Sequence, residues 1–101
     1  MAEPIWEKCS LEQLVDLSER AIEDKIAETA WEHYKKAGGD EWEFFCKWGK
    51  TDTIANDAYK HYVKAGENDW PTLSTHGKTE EIKKDASSRI YDISEFLIDE
   101  L

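Results

Sequence analysis

Two histidines, His33 and His61, lie 28 positions apart, and each is directly followed by a tyrosine, Tyr34 or Tyr62. Imidazoles serve as general bases and as zinc ligands, so this pair is the first candidate for chemistry. A zinc site or a base–nucleophile pair needs a cysteine or carboxylate at suitable spacing, and none accompanies both histidines. We therefore predict helix-surface or interface histidines in a protein that is not an enzyme and holds no metal or cofactor. A small enzyme or metal protein using both histidines is the alternative.

The tripeptide Gly-Lys-Thr occurs twice, ending at Thr51 and at Thr79. It is also the end of the phosphate-binding loop motif, which requires another glycine five residues before its Gly-Lys. Phe44 and Thr72 occupy that position here. The pattern instead predicts that each glycine ends one helix and that the threonine caps the next, since threonine hydroxyls accept hydrogen bonds from free N–H groups at helix starts.

The two cysteines, Cys9 and Cys46, are too few for a disulfide scaffold and show no CxxC spacing, so we expect reduced thiols. The first residues lack the basic and apolar regions of a signal peptide, and no apolar run is long enough to span a membrane. We therefore expect a cytoplasmic protein with no membrane partner. For a viral protein this would be the cytoplasm of the host cell.

The segments that carry these residues repeat. Residues 26–51 and 54–79 align without a gap at an offset of 28, with 12 identities in 26 positions. Self-similarity at a fixed period indicates a tandem repeat, in which neighbouring copies bury a face that one copy cannot bury alone. We expect Ala30 and Ala58 in equivalent buried contacts. The predicted copies are about 22–49, 50–77 and a partial copy 78–101, within a single all-α domain spanning 1–101.

Each copy predicts a long helix followed by a short one, because apolar residues recur at helical spacing in its first part. Gly38 and Gly66 stand where a left-handed C-cap belongs, and Asp40 and Asn68 are the predicted N-caps of the short helices. We expect an all-α fold, either a compact helical bundle or a short stack of helix-turn-helix repeats. The predicted helices are 10–20, 23–37, 41–48, 52–65, 70–75 and 80–100.

The net charge of −10 is unevenly distributed along the chain. Residues 1–32 carry −6, residues 33–79 carry 0 and residues 80–101 carry −4. Because phosphate contacts require a positive footprint, we predict no direct nucleic-acid binding and expect a protein partner with a basic surface. The alternative is that the acidic ends serve only to keep the protein soluble. The spacing of four acids predicts a negative ridge along one helix, formed by Glu12, Asp16, Glu19 and Glu23.

Five tryptophans are more than a small helical core usually needs, and three lie in the short connecting segments: Trp42, Trp48 and Trp70. Exposed tryptophans beside the acids would anchor a partner, whereas buried ones would only close the core. The leading hypothesis is an acidic inhibitor, or nucleic-acid mimic, that blocks a basic or nucleic-acid-binding surface of a partner. Small viral anti-defence proteins, including anti-CRISPR proteins, and toxin-immunity proteins have such roles. The alternative is a helical-repeat adaptor or scaffold that binds through its Trp-rich middle.

Overall fold

A computed structural model describes the backbone of residues 5–99 and the side chains of residues 5–90. The fold is all-α, and residues 5–99 contain no strand. A 3₁₀ turn at Trp6–Lys8 precedes six helices in the described chain: α1 Leu11–Arg20, α2 Asp24–Lys36, α3 Trp42–Trp48, α4 Asp52–Lys64, α5 Trp70–His76 and α6 Glu80–Asp99. None of these helices is both long and apolar enough to cross a membrane.

Most of the predicted helix ends are confirmed. Ser10 begins α1 with a reciprocal capping box, and the hydroxyls of Thr51 and Thr79 each accept a backbone N–H at 3.2 Å. Gly38 and Gly66 follow the long helices with φ angles of 92° and 79°. Glycine suits these two positions because a side chain would strain the left-handed backbone.

The prediction that Asp40 and Asn68 cap the short helices is wrong. Each cap lies one residue later in the chain and makes no side-chain hydrogen bond. The backbone N–H of the capping residue instead donates to a tyrosine hydroxyl of the preceding long helix, Tyr34 at 2.9 Å and Tyr62 at 2.6 Å. The phenol reaches across the connection and accepts the N–H of the capping residue itself, whereas an N-cap side chain accepts an N–H two or three residues further along.

The helices pack in two layers. Each short helix lies mainly against the long helix that follows it, so that α1 packs on α2, α3 on α4 and α5 on α6. The long helices also contact one another in chain order, as do α3 and α5. Two backbone hydrogen bonds of 2.9 Å join successive pairs at the 28-residue offset, from Lys50 N–H to Ser18 O and from Lys78 N–H to Cys46 O. The arrangement is consistent with stacked helix-turn-helix pairs.

The core runs between the two layers. Ala30, Ala58 and Ala86 occupy equivalent positions on successive long helices and are fully buried, which lets these helices approach closely. Larger apolar side chains fill the space between long and short helices. The largest buried members are Trp31, Tyr34, Phe45, Ile54, Tyr62, Leu73 and Ile82.

Candidate functional site

The predicted acidic ridge is divided between two helices. Glu12, Asp16 and Glu19 lie on α1, but the chain leaves the helix at Ala21, whose φ and ψ of −59° and 145° are extended. Glu23 then serves as the N-cap residue of α2. The prediction of one ridge along one helix is therefore wrong at Glu23, because the four-residue spacing continues across a helix end.

The acids of α1 are partly neutralised by their own helix. Arg20 Nε lies 2.7 Å from Asp16 Oδ1 and 3.9 Å from Glu19 Oε1. Exposed pairs of this kind contribute little to stability, so an incoming cation can compete for the same carboxylates. Glu12 and Asp16 also border a shallow surface cavity of about 480 Å³, whose other lining residues are Cys9, Gln13 and Leu17.

The three predicted tryptophan anchors have different surroundings. Trp42 is half-buried and stacks on His61 with ring centroids 4.4 Å apart. Trp70 is half-buried too, with Arg89 Cζ 4.8 Å from its ring centre. Trp48, at the end of α3, is 56% exposed. Two tryptophans therefore hold the next long helix in place, and Trp48 is available for a partner.

Both repeated histidines stack on tryptophan rings. His61 lies on Trp42, and His33 lies on Trp6 with centroids 5.0 Å apart and an interplanar angle of 8°. Trp6 precedes the repeat, so the sequence pattern did not identify it as a partner of His33. Each histidine therefore packs against an aromatic ring of another element, and its lack of a chemical role stays a prediction. Among the described residues no group of three His, Cys, Asp or Glu side chains is arranged to hold a metal ion.

The partly buried carboxylate of Asp57 joins α2 to α4. Asp57 accepts a 2.8 Å hydrogen bond from the indole N–H of Trp31 and a 2.6 Å hydrogen bond from Lys35 Nζ. Partial burial opposes ionisation of Asp57, but the bonds from Lys35 and Trp31 outweigh it and lower the pKa of the carboxyl below its ordinary value.

Asp85, the equivalent of Asp57 in the next repeat copy, joins α4 to α6 in the same way. The hydroxyl of Tyr59 donates to Asp85, which also accepts a 2.8 Å hydrogen bond from Arg89 Nε. These two bonds lower the pKa of Asp85, while burial and the bond to Asp85 raise the pKa of Tyr59. Both carboxylates fix the positions of neighbouring long helices and are already satisfied by the chain itself.

A surface cavity of about 730 Å³ lies on the outer side of α2 and α4. Its charged lining is balanced between three lysines and three carboxylates: Lys25, Lys36, Lys60, Glu28, Glu32 and Asp57. One of these carboxylates, Asp57, already holds Lys35 and Trp31. This balance favours neither a cationic nor an anionic ligand.

Four other carboxylates converge where the long helices turn into the short ones. Asp40 and Glu41 from the first connection, Glu43 from the first turn of α3 and Glu67 from the second connection line a shallow cavity of about 310 Å³. We call these four residues the acidic edge. Burial and then the charges of Glu43, Asp40 and Glu41 raise the pKa of Glu67. Both burial and the nearby negative charges therefore oppose ionisation of Glu67.

The acidic edge was not found from the sequence, because a charge count along the chain gives residues 33–79 no net charge. The compensating lysines of that segment are largely placed elsewhere, with only Lys47 lining the same cavity, 3.8 Å from Glu43. The usable signal was the offset of 28 residues, which places the two acidic connections at equivalent positions of neighbouring copies.

The outer side of the short helices carries an aromatic pair. Phe44 and Trp48 lie four residues apart on α3, opposite the fully buried Phe45 and Cys46. Phe44 is half-buried and contacts Phe45 edge to face, with ring centroids 5.1 Å apart. Trp48 extends this apolar stripe towards the end of the helix. The side chains of the chain's acidic end beyond residue 90 lie outside the described residues.

Comparison with protein-family models, with curated proteins and with solved structures gives no match to this chain. The chemistry of its surfaces must therefore indicate its function.

Proposed function

We propose that this protein is a non-enzymatic, acidic protein-binding inhibitor that covers a basic surface of a partner protein. The observation that carries the proposal is the acidic edge, where Asp40, Glu41 and Glu43 of one repeat copy meet Glu67 of the next. Burial and then the charges of the three neighbouring carboxylates raise the pKa of Glu67, and the repulsion among the four carboxylates is relieved when lysine or arginine side chains of a partner approach.

The overall charge of −10 supports the same assignment. A negative field of this size steers basic proteins towards the surface and repels nucleic acid. A partner that binds DNA or RNA through a basic surface would lose that surface to this protein. The proposed role resembles that of small viral anti-defence proteins and toxin-immunity proteins, acting in the cytoplasm.

The alternative function, a helical-repeat adaptor that binds through its Trp-rich middle, is favoured by Trp48. Its indole is 56% exposed, although Trp42 and Trp70 are both engaged with the next long helix. The two functions differ in their response to salt. Binding through carboxylates weakens as ionic strength rises, whereas binding through an indole persists.

The test begins with capture of the partner on the immobilised protein, followed by measurement of its association rate at low and high salt. We expect the rate to fall steeply with salt and nucleic acid to compete. Glu41→Gln with Glu67→Gln should weaken binding about fivefold or more at low salt. The matched control, Glu28→Gln with Glu81→Gln, makes the same change in net charge away from the acidic edge and should have a smaller effect.

Equal losses in the two double variants would mean that only net charge matters and would remove the acidic edge from the proposal. Salt-insensitive binding that nucleic acid does not affect would contradict the inhibitor function and favour the adaptor. Thermal unfolding of each variant supplies the control for folding. Glu41 and Glu67 are both exposed, so we expect little change in stability.

A further inference from the structure

The repeat supplies an internal comparison for the aromatic pair on α3. At the offset of 28, Trp48 corresponds to Arg20 at the end of α1 and to His76 at the end of α5. All three residues close a short helix, and both Arg20 and His76 are polar and exposed. Packing of the short helices therefore does not require an aromatic residue at this position, so the exposed indole of Trp48 needs another explanation.

Phe44 also differs from the residues at its equivalent positions on the other short helices. Its equivalents are Asp16 on α1 and Thr72 on α5. Phe44 and Trp48 thus make α3 the short helix with an outward aromatic stripe, while the inward side buries Phe45 as α5 buries Leu73. Exposed apolar stripes next to polar neighbours are typical of surfaces that bind another protein.

The neighbouring helix α1 carries exposed acids. The backbone hydrogen bond from Lys50 N–H to Ser18 O places the end of α3 beside α1. Asp16 occupies on α1 the position that Phe44 occupies on α3, and Glu12 lies one turn before it. The side chain of Asp16 is 60% exposed and pairs with Arg20 of the same helix, whose side chain is 71% exposed.

We propose that Phe44 and Trp48, together with Glu12 and Asp16, form a docking face for a basic amphipathic helix of a partner protein. An amphipathic helix presents apolar anchors at spacings of three and four residues, which match the outward pair on α3. Lysine or arginine residues beside those anchors would meet the two carboxylates of α1. The inference rests on the proposed function and assigns the partner's binding element.

The surrounding charge argues against other occupants. Anionic phospholipid headgroups and nucleic acid would both be repelled by Glu12 and Asp16. A second copy of this chain would bring the same acids towards each other, since a two-fold dimer places one surface patch against itself. A basic helix is the occupant that satisfies the aromatic and acidic parts of the docking face together.

The experiment uses a synthetic amphipathic helical peptide of lysine and leucine, labelled for fluorescence anisotropy. A scrambled isomer without the apolar stripe and a peptide with glutamate in place of lysine are the controls. We expect the wild-type protein to bind the first peptide and neither control. In ¹⁵N-correlated NMR spectra, the largest shifts should fall on α3 and α1, including the indole N–H of Trp48.

The decisive variant is Trp48→His, which installs the residue that α5 carries at the equivalent position. It should fold normally and weaken peptide binding about tenfold or more, as expected for an aromatic anchor. Glu12→Gln with Asp16→Asn should weaken binding several-fold at low salt and less at high salt. Val63→Ser changes an apolar residue that lines the outer cavity of α4 and α6, in the other layer, and should have no effect.

Unchanged affinity in Trp48→His, with NMR shifts on the acidic edge, would overturn the docking face but leave the proposed function intact. Failure of the lysine–leucine peptide to bind, together with salt-insensitive capture of the natural partner, would overturn both. Equal binding of the scrambled isomer would show that charge alone is recognised. A dimer of this chain that Trp48→His abolishes in sedimentation experiments would assign the face to a second copy and overturn the inference.

Discussion

The contacts between α2 and α4 and between α4 and α6 use one repeat position in two ways. In both, an aromatic donor on the earlier helix meets an aspartate on the later helix, Trp31 with Asp57 and Tyr59 with Asp85. The cation differs. Lys35 reaches Asp57 from the opposite helix, whereas Arg89 reaches Asp85 from the same helix, four residues away.

This difference shows that the carboxylate is the fixed component and that its cation can come from either side. The first and last long helices fit this interpretation. On α2, Thr29 occupies the repeat position that Asp57 and Asp85 occupy on α4 and α6. The position of the aromatic donors is likewise held by Ser87 in α6. The carboxylate contact therefore occurs at both junctions between long helices. The equivalent positions that face no further long helix, Thr29 and Ser87, are neither charged nor aromatic.

Removal of the first carboxylate should have the largest effect. Asp57→Ala leaves the indole N–H of Trp31, a residue only 2% exposed, without its acceptor and also removes the ion pair with Lys35. We expect a loss of about 3 kcal/mol in the free energy of unfolding. Asp85→Ala should cost about 1 kcal/mol, because Arg89 can turn into water. Denaturant unfolding measures both, and equal losses would contradict the ranking of the two junctions.

Acid should weaken the same junction. Burial raises the pKa of Asp57, but the bonds from Lys35 and Trp31 lower it further, so the folded carboxyl has a pKa below that of the unfolded chain. Its contribution is therefore complete above the ordinary aspartate pKa of about 3.9 and is lost as the pH falls through the lower folded value. The stability difference between wild type and Asp57→Asn should shrink over that range. A difference independent of pH would contradict the assignment.

Ser18 and Cys46 occupy the same repeat position on α1 and α3, and both are fully buried. The Ser18 hydroxyl has no hydrogen-bond partner in the described structure, and burial raises the pKa of the Cys46 thiol to about 12. Cys46→Ser should cost about 1–2 kcal/mol by burying a second unpaired hydroxyl. Ser18→Ala should be neutral or stabilising in thermal unfolding. A clear loss of stability in Ser18→Ala would show that its hydroxyl is bonded.

Local rules predicted the helices well from the sequence. Periodicity, two left-handed glycines and the two Gly-Lys-Thr segments gave helix ends within one or two residues of those observed. The rules failed where a distant side chain replaced a local one. Asp40 and Asn68 do not cap the short helices, and Tyr34 and Tyr62 instead accept the N–H groups of the N-cap residues, a contact across seven residues that cap propensities do not describe.

The candidate surfaces were harder to predict because they combine residues from several elements. Glu67 joins the acidic edge only because the stack places its connection beside that of Glu43. Trp42, Trp48 and Trp70 were equivalent candidates in the sequence, yet the structure separates them by whether the next long helix covers the indole. Exposure depends on packing between copies, which the one-dimensional pattern does not specify.

The smallest effect is expected at the position shared by Glu23, Thr51 and Thr79, which precede the three long helices. The threonines cap their helices, and Glu23 makes no side-chain cap hydrogen bond although its φ and ψ of −101° and 133° are equally extended. Thr51→Ala should cost about 1 kcal/mol, and Thr79→Ala somewhat more, because Thr79 also donates to Asn56 at 2.8 Å. Thermal and denaturant unfolding measure these losses.

Glu23→Thr should have the opposite sign. It adds the missing cap without changing the backbone but removes a negative charge that favours the positive end of α2, so we expect a net gain of about 0.5 kcal/mol. A loss of stability would contradict this, and would mean that the charge of Glu23 outweighs a hydroxyl cap there. The same variant also tests function. If Glu23→Thr is more stable than the wild type but binds the partner more weakly, Glu23 serves recognition although it makes α2 less stable.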